Sequence, residues 1–410
     1  MKSSKVLFLS GALLIICLAT VFALRRRPNG ANSDDAAGPR ILWSYAQGSD
    51  TLSGIALAPN GTVHFAAPDG IYALSPEGKL LWKAPLPSGP VIAAPTLSPT
   101  GTLYAASQSG KLFALDPSGN LTWQSLATQH KFFTSPALGT GGALYVADDY
   151  TDLFAFAPST GPSPTWKQMT FSSSGSRDDI LLGNNTPSYG NGPGEWRSSP
   201  VINGDDTIYL AHQQWLYHLN LQGDALWYIQ VPGSPLGFPA IGADRVVFVT
   251  DPPWLSAIGP EGKQRWVIRT NRLQGSPVVD NSGVIYFCDS SFVKAILPDS
   301  QSKWFVQAEC NSGLALAGDG TIYLGMISRE PERGPRATFL AAFAPNGQLK
   351  WKIAINGMVR DAPAIAPDGT IFFTTSKGYA YAVSDVGSPP MDSPWPRFQH
   401  DAQNSGHSRF

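Results

Sequence analysis

From about residue 40 to about residue 385, apolar and polar positions alternate in short runs that glycine, proline and small polar residues interrupt at close intervals. The stretch from Gly101 to Trp123 shows the unit. Leu103–Ala106 and Leu112–Leu115 read as strands, Ser107–Gly110 and Asp116–Gly119 as turns, and Leu121–Trp123 as the start of a third strand. Glycine and proline stand only where the backbone must reverse. A hairpin pair of this size cannot bury its own apolar face, so it needs neighbours built like itself.

The chain supplies them. An aromatic residue or histidine holds the same place in the first of these strands at His64, Tyr104, Tyr145, Tyr209, Phe248, Tyr286, Tyr323 and Phe372. The turn pattern recurs as Ala73–Gly78, Ala257–Gly262 and Ala342–Gly347, and closing tryptophans follow at 82, 123, 166, 227, 266, 304 and 351. Most units open on a further strand with a small or apolar residue before proline, as at Ala94-Pro95, Ser135-Pro136, Ser199-Pro200, Phe238-Pro239, Ser276-Pro277 and Ala362-Pro363. Four strands in roughly 40 residues is the period of a propeller blade.

The last aromatic strand, near Tyr379–Val383, has no tryptophan strand after it, whereas Ile41–Tyr45 is a tryptophan strand with no unit of its own. The expected fold is therefore all-β: an eight-bladed propeller of four-stranded antiparallel blades, closed by an N-terminal strand so that no sheet edge is left open between first and last blades. The alternatives are an open array of eight units, or a last strand supplied around Trp395.

The repeated Gly-x-[Leu/Ile]-Tyr, Ala-[Leu/Phe]-x-Pro-x-Gly and Trp pattern resembles the pyrroloquinoline-quinone (PQQ) repeat, which builds the eight-bladed quinoprotein propellers and the BamB-type outer-membrane assembly proteins. The resemblance spans Ile41 to Val383. A second one lies at Trp395–Gly406, similar to a Trp-Pro-x-Phe-x-His-Asp-x-x-x-[Thr/Ser]-Gly segment that accompanies many bacterial propellers of this kind. It implies a docking tail in which Trp395 and Phe398 pack on the propeller and His400 and Asp401 hydrogen-bond backbone. The family's enzymes hold the quinone against a disulfide of adjacent cysteines, with calcium bound by acidic and amide side chains. This sequence has no adjacent cysteines and no matching calcium ligands or base, so neither PQQ nor calcium is expected. A quinoprotein dehydrogenase or another propeller enzyme is the alternative to a non-catalytic, membrane-tethered binding and scaffolding propeller.

Composition agrees with one large turn-rich domain: 41 glycines, 35 prolines and 14% charged residues in 410. A net charge of −1 gives no ground to expect a nucleic-acid partner. Val6–Leu24 is an uncharged run preceded by Lys2 and Lys5, long enough to cross a bilayer as a helix. It is expected to be an uncleaved anchor in residues 1–24, followed by a linker at 25–40, the propeller at 41–388 and the tail at 389–410. A cleaved signal is the competing reading of the same run. The family's export habit implies an extracytoplasmic propeller, on the periplasmic side or at the cell surface. Cys288 and Cys310 fit no metal motif. Cys288 is expected to be a small core residue, and the two are expected to stay unpaired although an oxidising compartment would allow a disulfide.

Catalytic motifs for hydrolase, metalloprotease or phosphate chemistry are missing from the sequence. His64 is expected to be packed rather than a ligand, and Asp148, Asp149 and Asp152 to form a solvated turn rather than a calcium loop. His212 and His218 flank a hairpin in the fourth blade. The residues at about 170 to 195 form the largest insertion, a candidate binding or capping loop. Trp254, after Pro252-Pro253, is a candidate contact residue, with packing in the fold as the alternative. Lys131, Arg197, Arg272 and Arg360 precede the opening strands at matching parity, so they are candidates for a cationic ring at one channel mouth, with Trp196 beside it. An anionic ligand or acidic loop is the complement expected for that mouth, and the partner expected for the propeller is a protein or a cell-envelope polymer.

Overall fold

The computed structural model describes residues 38–410 except 51, 129, 150–151, 170–197, 213–214, 234–238, 272, 330–335, 386, 394–395, 398–399, 402 and 409–410. The anchor run, the large insertion, Trp196, Arg197, Arg272, Trp395 and Phe398 lie outside the described residues. Eight four-stranded antiparallel sheets follow one another along the chain as the blades of a propeller. Each blade is a meander of an inner, a second, a third and an outer strand. In the second blade these are Thr96–Leu97, Leu103–Ala106, Leu112–Leu115 and Leu121–Gln124. Inner–second and third–outer turns share one face of the ring, here the first face. Second–third turns and the connections between blades share the second face.

The ring closes through its two ends. Arg40–Ala46 is the outer strand of the eighth blade, antiparallel to Tyr379–Ser384, with Ile41 opposite Val383 and Tyr45 opposite Ala380. Seven blades thus complete themselves, and the eighth is shared between strands more than 300 residues apart in sequence.

The repeated residues meet inside each blade. In every blade but the fourth, an alanine of the third strand lies between the aromatic of the second and the tryptophan of the outer, as Ala73 does between His64 and Trp82. The same three-residue register recurs at Phe248, Ala257 and Trp266, and at Tyr323, Ala342 and Trp351. Alanine leaves room for the rings to approach, with centroids 5.8 Å apart for Phe248–Trp266 and Tyr323–Trp351.

The tryptophans also join neighbouring blades. Trp43 Nε1 donates to the Pro76 carbonyl of the first blade at 2.7 Å, and Trp82 Nε1 to the Pro117 carbonyl of the second at 3.0 Å. Trp123, Trp166, Trp227, Trp266 and Trp304 continue the series to Gly161, Leu221, Pro260, Pro298 and Pro345. Trp351 donates instead to the Asp385 carboxylate at 2.9 Å. The accepting turn must let the indole lie flat on it. Gly78 has φ +81°, and a Cβ there would stand 2.5 Å from the Trp43 ring.

Two expectations are corrected. Cys288 and Cys310 form a disulfide between the sixth and seventh blades, with Cα atoms 6.1 Å apart and 22 residues apart in sequence. The sequence separation gave no sign of this, because the two residues meet only once neighbouring blades pack. The Asp148–Asp152 turn is not a solvated one. Asp148 and Asp152 are buried, the Asp148 carboxylate accepts the Asp152 N–H at 2.9 Å, and Lys167 forms an ion pair with Asp152. Burial of the charge is tolerated because each carboxylate has a donor.

Candidate functional site

The inner strands leave an axial channel, and its mouth on the first face is filled by the chain's own tail. Segment 389–408 crosses the ring and bonds to the last inner-strand residues in turn. Leu316 of the seventh blade donates its N–H to Pro396 and accepts that of Met391. Leu97, Leu138 and Ile202 donate to Gln403, Ser405 and Gly406, and Ile202 accepts from Ser408. Ser393 reaches Val279 of the sixth blade at 2.8 Å.

Two side chains make the deepest bonds. Arg397, 3% exposed, donates through Nη1 to Asn404 Oδ1 (2.8 Å) and the Asp401 carbonyl (2.6 Å), and through Nη2 to the Ala362 carbonyl of the eighth blade (3.2 Å). Asn404, fully buried, donates to the Ile55 and Pro95 carbonyls of the first and second blades. Burial pulls the Arg397 guanidinium down to about 10, with Asp401 and Asp361 opposing the fall. Burial also raises the Asp361 carboxyl, against the pull of Arg397, the Gly54 N–H and Arg360. At Asp401, burial would raise the carboxyl, but His400 and the hydroxyl and N–H of Ser405 hold it below the usual carboxylate range.

The described tail residues thus bond to the inner strands through side chains the motif leaves unspecified, while the expected packing of Trp395 and Phe398 lies outside the described residues. Arg397 and Asn404 fall on its variable positions, and nothing in the pattern distinguished them. His400 and Asp401 shape the turn within the tail. A cavity of about 310 Å³ opens between the tail and the first face, walled by Leu57, Pro59, Leu316, Ile365 and Met391 with Arg397 at its edge.

On the second face the hairpin ends carry polar residues in one register, three places after the repeated aromatic: Ser107, Asp148, Asp251, Asp289 and Thr375. All are buried. Asp289 accepts the N–H of Phe292 at 3.0 Å and pairs with Lys294 at 2.5 Å. Asp251 accepts from the Gly233 N–H and the Ser256 hydroxyl, while burial pushes its carboxyl up to about 7.

Of the candidate cations, Lys131 and Arg360 are described, and both lie exposed beside second–third turns. The Lys131 N–H donates to the Asp149 carboxylate and its carbonyl accepts the Asp149 N–H, while Arg360 donates its backbone N–H to the Thr374 carbonyl and its Nη2 to the Asp50 carbonyl at 2.9 Å. Trp254 is half-buried, with the Arg269 guanidinium 5.9 Å from its ring centre, so it packs within its own blade. His64 and His218 are buried, and burial lowers both imidazoles to about 4.

Among the described residues no three His, Cys, Asp or Glu side chains converge as metal ligands. The cysteine pair joins two strands rather than adjacent residues, and Arg397 and Asn404 fill the channel on the first face.

A family model described as outer membrane protein assembly factor BamB matches residues 33–161 and 108–292. No curated protein matches the chain in sequence. Among solved structures, BamB from Moraxella catarrhalis superposes with a TM-score of 0.66 at 12% identity, over 85% of this chain and 100% of its own. A europium-containing methanol dehydrogenase gives 0.65 at 12% identity, over 85% and 93%. The quinohemoprotein alcohol dehydrogenase ADHIIG from Pseudomonas putida HK5 gives 0.64 at 13% identity, over 88% and 78%. At such identities the likeness is one of fold.

Proposed function

Because the chain belongs to the family of the outer membrane protein assembly factor BamB, we propose that it is a non-catalytic binding propeller of the cell envelope, held to a membrane by Val6–Leu24 and engaging a protein partner. The observation that carries this reading is the tail. This chain closes one mouth of the ring with its own residues, with buried Arg397 and Asn404 bonded across the first, second and eighth blades. A rigid ring closed on one face offers its other face and its long loops for contact. Lys131 and Arg360 stand on that second face, and the acidic partner expected from the sequence complements them. The disulfide supports an oxidising, extracytoplasmic compartment.

Cross-linking of the full chain in envelope membranes tests the reading. Cross-links to one protein partner are expected from the second face, and charge reversal at Lys131 and Arg360 is expected to weaken them more at low salt than at high. Dye-linked alcohol oxidation appearing on addition of PQQ and calcium would overturn it in favour of a quinoprotein dehydrogenase.

A further inference from the structure

The mouth that the tail closes is not filled evenly. The described tail residues bond through their backbone to the inner strands of the second, third, fourth and seventh blades. They meet the eighth and first blades through long side chains, Arg397 reaching the Ala362 carbonyl and Gln403 that of Leu57. The cavity of about 310 Å³ lies where these side chains span the gap, against the inner-strand ends Leu316, Ile365 and Leu57 of the seventh, eighth and first blades.

Its walls are apolar and poor in hydrogen-bond donors. Pro59, Pro367, Pro390 and Pro396 line it, and proline has no N–H to offer. The donors of its polar side chains are already engaged: Ser393 on the Val279 carbonyl at 2.8 Å, Gln403 on the Leu57 carbonyl at 3.1 Å, and Arg397 on Ala362 and Asn404. Two exposed carboxylates stand at the cavity, Asp392 on its wall and Asp368 next to Pro367. Asp368 accepts the Thr370 N–H at 2.9 Å, and neither acid is ion-paired among the described residues.

The charge around the mouth has the same sign. The inner–second turns that ring it carry Asp205, Asp206, Asp244, Asp280, Asp319 and Asp368, and one cation, Arg245, which pairs with Asp205 at 3.1 Å. Arg265 and Lys350 reach Asp244 and Asp319 from the outer strands, on the far side of those turns from the channel. An apolar recess that presents acceptors and negative charge complements a donor-rich, positively charged partner. The volume lies at the low end of the roughly 300–1,000 Å³ of ligand pockets, which suits one inserted side chain.

We infer that this cavity docks a basic protein segment, taking one aromatic or branched apolar side chain between Leu57, Leu316 and Ile365 while flanking lysine or arginine side chains meet Asp368 and Asp392. The site is of opposite sign to Lys131 and Arg360 and lies on the opposite face, so it is separate from the contact proposed above, and either can fail without the other. A ring with an acidic recess on one face and cations on the other joins two partners of unlike charge through one rigid body.

The test uses the full chain in a non-ionic detergent and a fluorescently labelled peptide with lysines on both sides of a phenylalanine (KKFKK), read by anisotropy. Its alanine and glutamate counterparts (KKAKK and EEFEE) are the comparisons. KKFKK is expected to bind saturably and on the order of tenfold more tightly than KKAKK, the difference that burial of a phenyl ring makes, and EEFEE is expected not to compete. D368N/D392K, which keeps an acceptor for the Thr370 N–H, should weaken KKFKK several-fold at low salt and less at high salt. Equal binding of KKFKK and KKAKK would reduce the site to surface charge and overturn the inference. Equal binding of EEFEE, or no saturable binding, would overturn it too. Should the double variant not fold, the unaltered chain gives the answer: a peptide with benzoylphenylalanine at its centre should cross-link at Leu57, Ile365 or Met391, and attachment spread over the outer strands counts against the inference.

Discussion

The His218 imidazole stacks on Tyr209, with ring centroids 4.3 Å apart and planes 9° apart, at the register position that alanine holds in the other blades. Its other face meets Trp227 at 4.9 Å, and Nε2 lies 2.7 Å from the Thr207 hydroxyl. A ring thus fills the space that elsewhere a methyl group leaves between tyrosine and tryptophan.

This makes the propeller acid-sensitive at known places. His64 and His218 have folded values near 4, below the 6.5 of a free imidazole, so the unfolded chain binds more protons between those limits. Their neutral forms support the fold fully above pH 6.5, and that support is lost as pH falls toward 4, by at most ~3 kcal/mol each. Asp251 acts in the opposite sense, since its raised carboxyl favours the fold below the ordinary carboxylate range and loses that advantage as pH rises toward 7. The informative measurement is therefore a difference. H64F, which installs the ring found at Phe248 and Phe372, should unfold in urea like the parent at pH 7 and gain on it by ~2–3 kcal/mol at pH 4.5. An unchanged difference between the two pH values counts against a buried neutral His64.

The closing strand should act as a clasp for the whole ring. W43A removes the bond to Pro76 and the indole lying on Gly78, and should cost about 2–4 kcal/mol in chemical denaturation. G78A should cost more than 1 kcal/mol by itself, because φ +81° and the Trp43 ring both oppose a Cβ.

Reduction should weaken the join between the sixth and seventh blades. With the cysteines 22 positions apart, losing the disulfide costs about 3 kcal/mol. A lower Tm in dithiothreitol, matched by C288S/C310S without reductant, is the expected result. A Tm insensitive to both would mean that the bond contributes nothing to stability.

The tail should protect the inner strands. R397A leaves the Ala362 carbonyl and Asn404 Oδ1 without this donor in a buried channel, at a cost of roughly 2–4 kcal/mol. Hydrogen exchange should rise first at Leu97, Leu138 and Ile202, whose N–H groups are held by the tail. Uniform acceleration over all blades would point instead to global destabilisation.

The repeat itself was legible because propeller strands are local. Alternating apolar positions, turn glycines and a residue every 40 or so that must sit opposite an alanine all act within one unit, and Leu103–Ala106 and Leu112–Leu115 appear in the structure with the bounds the pattern predicts. The clasp was legible too, since an unmatched tryptophan strand at one end answers a blade lacking one at the other. What depends on contact between blades was not. The Cys288–Cys310 bond and the indole of one blade resting on the glycine turn of the next arise only when sheets pack side by side, where sequence distance carries no information about proximity. Arg397 and Asn404 lie furthest from the sequence's reach. Their partners are carbonyl groups, which every residue carries alike, so only the folded channel decides which side chain meets them.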